Sequence, residues 1–437
     1  MPHRLQLRFS LASLRLHLSV CLLILVFSSS LHAQVGIGTT SPKAFLNVPQ
    51  GRTVLFGSDS AGAGGKLIWY GSKGAFRAGA IQDDPNLINS WDNTSVGQYS
   101  FASGLNTKAN GYIATAFGHS TMAPGNYAVA LNYRTEASGQ GSVSMGSNTV
   151  SSSTNTVAMG TSTQAIAPGA VSMGQNSVAR ADNATAMGYY TNAAGTNATA
   201  IGESTLASGR NAVSLGYASQ ASGENAMAMG SRSKASGENA IALGTSTQAS
   251  GDYSLAAGMN SIASGGFSTA IGSDVSTNGK TGSFILGDGN AQPYVSTERF
   301  QMTMRFGGGY KLYNSANPQA SASGVELKPY QNAWSVISDS TRKENYRVAN
   351  GASFLEKIAR MRLGSWNYKG QDAKLYRHYG PMAQEFFAAF GHDELGIIGE
   401  DKSINQADFD GVNLIAIQAL IEENQQLKAR LAAMEKQ

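Results

Sequence analysis

From Ser95 to Ser276 the chain repeats one short pattern: small side chain, large apolar side chain, small, large, then glycine. The pattern returns every 14 residues, thirteen times. Five copies run without a gap, from ASGRNAVSLGYASQ at 207–220 to ASGGFSTAIGSDVS at 263–276. Alternation with a period of two is that of a β-strand, whose successive side chains point to opposite faces. A short fixed repeat means one structural unit stacked on itself. Each copy can be numbered from its Ala-Ser-Gly start. Position 8 is always Ala or Ser, and position 9 is usually Met, Leu, Ile or Phe, as at Met145, Met173, Leu215 and Ile271. Position 10 is Gly in twelve copies, with Asn132 the exception, and position 3 is usually Gly. Position 10 is expected to turn the chain with a left-handed backbone. With the second glycine site this gives two turns and two short strands per coil.

The alternation predicts two faces. The small residues fill the inside of a thin coil, and the larger ones need another surface to cover them. A 14-residue coil encloses too little apolar area to stabilise itself alone. Side-by-side association of several chains, with the large face turned to a shared axis, meets that need. A stack of near-identical coils also offers few unique positions for a catalytic constellation.

Four regions surround or follow this array. Residues 1–33 have the form of a secretory signal peptide: Arg4, Arg8 and Arg15, an apolar run from Val20 to Phe27, and a cut expected at Ala33–Gln34. The apolar run is short for a membrane anchor. Residues 34–94 form a glycine-rich lead segment, and 277–337 form a β-rich connector with Phe284–Leu286 and Phe300–Phe306. In residues 338–437 glycine falls, charge rises, and a helix is expected from about Asp408. In that helix Ile417, Asn424 and Leu431 fit the a positions, and Leu420, Leu427 and Met434 the d positions, of a coiled-coil seam. The alternative is an amphipathic helix packed on its own domain.

Composition narrows the function classes. The formal charge of +4 includes the three arginines of the first 33 residues, which hold no acid, so the remainder is about +1. The array holds six Lys/Arg and seven Asp/Glu. It has no basic stripe of the kind a nucleic-acid binder uses. The only cysteine, Cys21, lies in the apolar run, so the mature chain is expected to lack disulfides and thiolate metal sites. No metal-ligand spacing and no phosphate loop occurs, so no cofactor and no metal are expected. A glycan-cleaving spike needs paired carboxylates in a cleft, and the scattered acids of the array do not supply them. No later segment is apolar enough to cross a membrane as a helix, so no transmembrane anchor is expected in the mature chain.

The repeat pattern Gly-x-Asn-Ala-x-Ala-Leu-Gly-x-x-Ser-x-Ala-Ser resembles the head repeats of YadA-like trimeric autotransporter adhesins over residues 95–276. The resemblance implies a mainly β fold, a left-handed parallel β-roll or solenoid that is trimeric and cell-surface or secreted. It also implies an extracellular surface, matrix or glycan ligand. The chain departs from such adhesins at its end, where a charged helix (420–434) stands in place of membrane-anchor strands.

Residues 338–437 resemble the peptidase S74 family, the intramolecular chaperone domains at the ends of phage tail spikes and some bacterial fibres. The resemblance rests on Ser338, Asp339 and Lys343 of a Ser-Asp-x-Arg-x-Lys pattern, on Gly380–Glu385, and on the closing helix from Asp410 to Leu420. Thr341 stands where the family has Arg, with Arg342 one place later. The resemblance implies an α+β chaperone domain that helps three chains assemble and then cuts itself off between Ile337 and Ser338. Its enzymatic activity would be at most this single turnover of a serine peptidase. Ser338 would be the nucleophile, Lys343 the base and His378 an orienting or relaying group. Lys343 must be neutral for that role, which burial or the charge of Arg342 next door favours. Read without the family, Ser338–Thr341 is a helix N-cap or turn. A scaffolding component of a larger appendage or tail-fibre-like assembly, without self-cleavage, is the alternative function.

Overall fold

A computed structural model describes residues 34–289, 293–313, 324–336 and 338–436. The expected signal peptide, with Cys21, lies outside the described residues. The chain divides into two compact units, one ending at Phe306 and the other beginning at Gly307.

The first unit is a parallel β-solenoid of 14-residue coils. Each coil contributes a five-residue strand, such as Val143–Ser147, and almost every coil a two-residue strand, such as Val150–Ser151. Each strand pairs in parallel with its equivalent one coil on. Val143 pairs Val157, Met145 pairs Met159 and Gly146 pairs Gly160, and the same offset continues to Thr269–Ser273. Two further strands, Phe284–Asp288 and Met302–Arg305, extend the stack beyond Ser276. Residues expected in one connector are therefore shared: 284–305 join the coils, and 310–336 join the second unit.

The interior is very narrow. Positions 1, 6, 8 and 13 point inward and hold Ala, Ser or Thr almost throughout. Ala102, Ala116, Ala130, Ser144, Ala158 and Ser172 at position 8 are all 0% exposed. Positions 7 and 9 stay half-exposed on the outside, as in Val143, Met145, Val157 and Met159. The small-in, large-out reading of the alternation is the observed one.

The glycines do a different task from the one expected. The chain turns at positions 5 and 12, where φ lies between about 49° and 68° in all thirteen coils, mostly on Asn, Ser or Tyr. Asn is well suited to that left-handed region. Gly at position 10 lies inside the five-residue strand. There φ runs from 107° to 130°, and an added Cβ at Gly146 would come 2.0 Å from the carbonyl oxygen of Gly160. At position 3 the added Cβ of Gly97 would likewise lie 2.0 Å from Gly111 O. Position 10 is glycine in twelve coils and position 3 in ten because neighbouring coils approach backbone to backbone there; Ser153, Ala167 and Ala181 take position 3 in the other three.

The hydroxyls inside follow a simple rule. Where position 8 is Ser, it serves position 13: Ser144 Oγ lies 2.7 Å from Thr149 Oγ1, and Ser214 Oγ 2.9 Å from Ser219 Oγ. Where position 8 is Ala, seven position-13 hydroxyls, including those of Thr107, Thr121 and Thr135, are buried with no hydrogen-bond partner among the described residues. One coil has Val275 at this position, 1% exposed.

Larger residues close the N-terminal end of the tube. Strands Thr53–Phe56, Gly64–Tyr70 and Ala75–Ile81 pair antiparallel, and the last pairs in parallel with Phe101–Leu105. Ile68, Tyr70, Ile81, Trp91 and Arg77 are buried there. The Arg77 guanidinium donates to Ser100 O at 3.1 Å, Ser100 Oγ at 2.8 Å and Ala109 O at 2.8 Å. Trp91 Nε1 donates to Thr107 O at 2.7 Å, and Tyr70 OH donates to Trp91 O. These donors satisfy carbonyls of the first coils. Burial lowers the Arg77 pKa to about 10 and raises that of the Tyr70 phenol.

In the second unit an antiparallel sheet joins Tyr310–Tyr313, Gly324–Leu327 and Ser335–Val336. Helix α1 (Gly351–Arg360), a hairpin of Gly364–Trp366 with His378–Gly380, helix α2 (Ala383–Phe390) and helix α3 (Gln406–Met434) follow. Phe354, Phe386, Phe390 and Phe409 form the aromatic centre, with ring centroids 5.1–5.7 Å apart. Helix α3 turns Ala416 and Ala419 toward α1, where a Cβ on Gly351 would lie 2.7 Å from Ala419 Cβ. Ile417, Leu420, Leu427, Leu431 and Met434 remain more than half exposed. Packing within the unit thus leaves the residues expected at a and d positions outside its contacts.

Two outcomes follow from this packing. Thr121→Val removes an unpaired buried hydroxyl at nearly constant volume, and is expected to raise stability by about 1 kcal/mol in thermal or denaturant melting; a loss of that size would contradict the unpaired assignment. For Tyr70, a raised phenol pKa means the folded state keeps its proton at pH values where the unfolded chain has lost it. That stabilisation is complete below about pH 10 and fades as pH rises through the raised value. The stability gap between wild type and Tyr70→Phe should therefore narrow above that pH.

Candidate functional site

The second unit holds the chemistry the sequence points to. Asp339 is the N-cap of a 3-10 turn over Ser340–Arg342. Its Oδ1 accepts from Thr341 N at 2.9 Å and from Thr341 Oγ1 at 2.8 Å, while Arg342 Nε lies 3.8 Å from Oδ2. The two Thr341 donors favour the carboxylate and hold its pKa below the usual range. This turn doubles the chain back, so that Lys343 Nζ donates to Ser338 Oγ at 2.7 Å. The N-cap and the Ser–Lys pair are one local structure: the cap sets the turn, and the turn sets the pair. Both side chains are exposed in the single chain.

Thr341 therefore has a part of its own. A threonine here adds a second donor to the capping carboxylate, and Arg342 supplies the cation beside it. Ile337, on the other side of the expected cut, lies outside the described residues.

His378 is in the Gly364–Trp366/His378–Gly380 hairpin. Its ring stacks on Trp366, with centroids 4.7 Å apart, and meets Tyr368 edge-on at 5.8 Å. Among the described residues no hydrogen bond joins His378 to Ser338 or Lys343. The structure thus brings two of the three candidate residues together and places the third in an aromatic stack.

The segment Gly380–Glu385 is structural. Glu385 lies in the first turn of α2 and accepts from Arg362 N at 3.2 Å and from the Arg362 guanidinium. A carboxylate there also suits the helix dipole. Sequence reading did not find Arg362, because its partner is 23 residues away and no short motif contains both. Among the described residues no group of three or more His, Cys, Asp or Glu is placed to hold a metal ion. No helix among them is long and apolar enough to cross a membrane.

Comparison with known families agrees with this layout. The family model described as YadA head domain repeat matches residues 113–131, 137–163, 165–191 and, in overlapping segments, 193–274. The model described as chaperone of endosialidase, of the peptidase S74 family, matches residues 338–393. No curated protein matches the chain. The chain carries YadA head domain repeats followed by a peptidase S74 chaperone domain.

Proposed function

We propose that the mature chain is a secreted or cell-surface fibre, adhesin-like and homotrimeric. Its C-terminal domain assembles three copies and then releases itself between Ile337 and Ser338. The observation that carries the reading is the outward apolar column of positions 7 and 9. Val143, Met145, Val157, Met159, Val171 and Met173 stack in register along one face that the coil interior cannot cover. Two more copies, each offering the same column, would bury it around a common axis.

Register is the difficulty in such an assembly. Coils one repeat apart present nearly the same surface, so a slipped trimer loses little contact. The exposed a and d residues of α3 answer this, because a short seam with Asn424 at an a position fixes register. The domain then acts first and the coils propagate from it.

For the release step, Ser338 Oγ attacks the Ile337 carbonyl carbon while Lys343, in its neutral form, takes the Oγ proton. The Ile337 acyl group passes from the Ser338 nitrogen to Oγ, the nitrogen leaves as an amine with the proton Lys343 took, and water hydrolyses the ester to the Ile337 carboxylate and the free Ser338 hydroxyl. The 2.7 Å contact between Lys343 Nζ and Ser338 Oγ supports this assignment. The step as written does not need His378.

Purified mature protein should run as a shortened chain plus a fragment of about 100 residues, counted from Ser338 to Gln437. Ser338→Ala and Lys343→Met should both remain uncut. An uncut wild type would reject release and favour the scaffold reading. Deletion of 421–437 should give monomer or aggregate by light scattering. A well-formed trimer after that deletion would show that α3 is not the clamp.

A further inference from the structure

The glycine column at position 10 is broken once. Asn132 occupies it with φ 92°, a backbone region that L side chains rarely adopt, and its residue is exposed. The same coil and its neighbours gather unusual side chains at the turn that follows. The His119 and Tyr133 rings meet edge-on at 5.2 Å, and Arg134 Cζ lies 5.1 Å from the Tyr133 ring centre. Arg134, Glu136 and Asn148 line a surface hollow of about 380 Å³. Neither Arg134 nor Glu136 has an ion-pair partner among the described residues.

Strain of this kind persists where something other than stability retains it. Twelve coils show that glycine serves the fold at this position, so Asn132 brings the fold no gain. What it adds is a carboxamide on the surface.

We propose that this edge is a carbohydrate site for a neutral pyranose chain, resting on the reading of the array as a surface-binding shaft. Vicinal sugar hydroxyls are matched by planar groups with two donors or acceptors, and the hollow offers the Arg134 guanidinium, the Glu136 carboxylate and the Asn148 carboxamide, with exposed Asn132 two residues before Arg134 in the chain. Beside the hollow, the partly exposed Tyr133 ring, which carries the Arg134 guanidinium on it and meets His119 edge-on, would offer its remaining apolar surface to the C–H face of a sugar. The opposite charges of Arg134 and Glu136 offset each other, so the site selects for hydroxyls rather than net charge.

The test is a printed array of neutral and acidic oligosaccharides, probed with wild type, Tyr133→Ala, Arg134→Ser and Asn132→Gly. Light scattering and thermal melting accompany each protein. Wild type is expected to retain neutral glycans, and Tyr133→Ala and Arg134→Ser to lose at least about tenfold in affinity, as aromatic and Arg anchors do. Asn132→Gly should melt higher and bind more weakly, a pair of changes that a merely structural residue would not give. The proposal is overturned if a trimeric wild type retains no glycan or only acidic ones. It is also overturned if the variants bind like wild type, or if they lose assembly together with binding. A monomeric wild type that still binds through Tyr133 would sink the fibre reading and leave the site standing.

Discussion

Everything in the first unit depends on how closely successive coils approach. Parallel strands one coil apart sit about 4.8 Å from each other, and both sheets belong to a single 14-residue turn. The space inside is then one small side chain deep. Ala, Ser and Thr fill it, glycine predominates where backbones come close, and larger side chains face outward. The cohesion of a coil comes from its ladder of backbone hydrogen bonds more than from buried apolar area. That is why the hydroxyl pairs at positions 8 and 13, and the large cap of Trp91, Tyr70 and Arg77, bear on stability.

The same narrowness directs the rest of the molecule. A tube that cannot hold its own large side chains presents them as a continuous column, and that column is what the proposed assembly consumes. The uniformity that makes the stack easy to extend makes it easy to misalign. A separate unit with its own aromatic core, and a helix that leaves its expected heptad residues exposed, fits the proposed role of setting alignment before the coils form. Its turn at Asp339 is equally economical: one capping carboxylate organises both the local fold and the Ser338–Lys343 contact.

Much of this was legible in the residues. The 14-residue period, the inward small positions and the outward large ones follow from strand geometry applied to the sequence. The Ser338–Lys343 pairing was suggested only by the family pattern; the 3-10 turn capped by Asp339 is what brings the two together. The turns were misread because glycine is the strongest local signal for positive φ; position 10 does have positive φ, but inside a strand at a close approach of coils and not at a turn. The true turn positions, 5 and 12, carry Asn at ten of twenty-six sites and Ser, Tyr, Arg, Phe, Ile, Ala, Asp or Gly at the rest. So mixed a set leaves a weak sequence signature. Arg77 gave no signal at all. A lone arginine in a strand reads as a surface residue until its carbonyl partners, 23 and 32 residues further on, are folded over it.

What the sequence by itself determined was the unit and its repetition, because periodicity is a local property and each coil meets only its neighbours. What only the tertiary structure decided was which positions touch. The glycine columns, the partnerless threonines, the arginine cap and the exposed strain at Asn132 all exist between coils, at separations the linear pattern does not encode. The Arg362–Glu385 tie and the packing of α3 against α1 depend in the same way on helices and strands packed from distant parts of the chain. Register across 14 residues can be read from letters; where neighbouring backbones leave no room for a Cβ requires the fold.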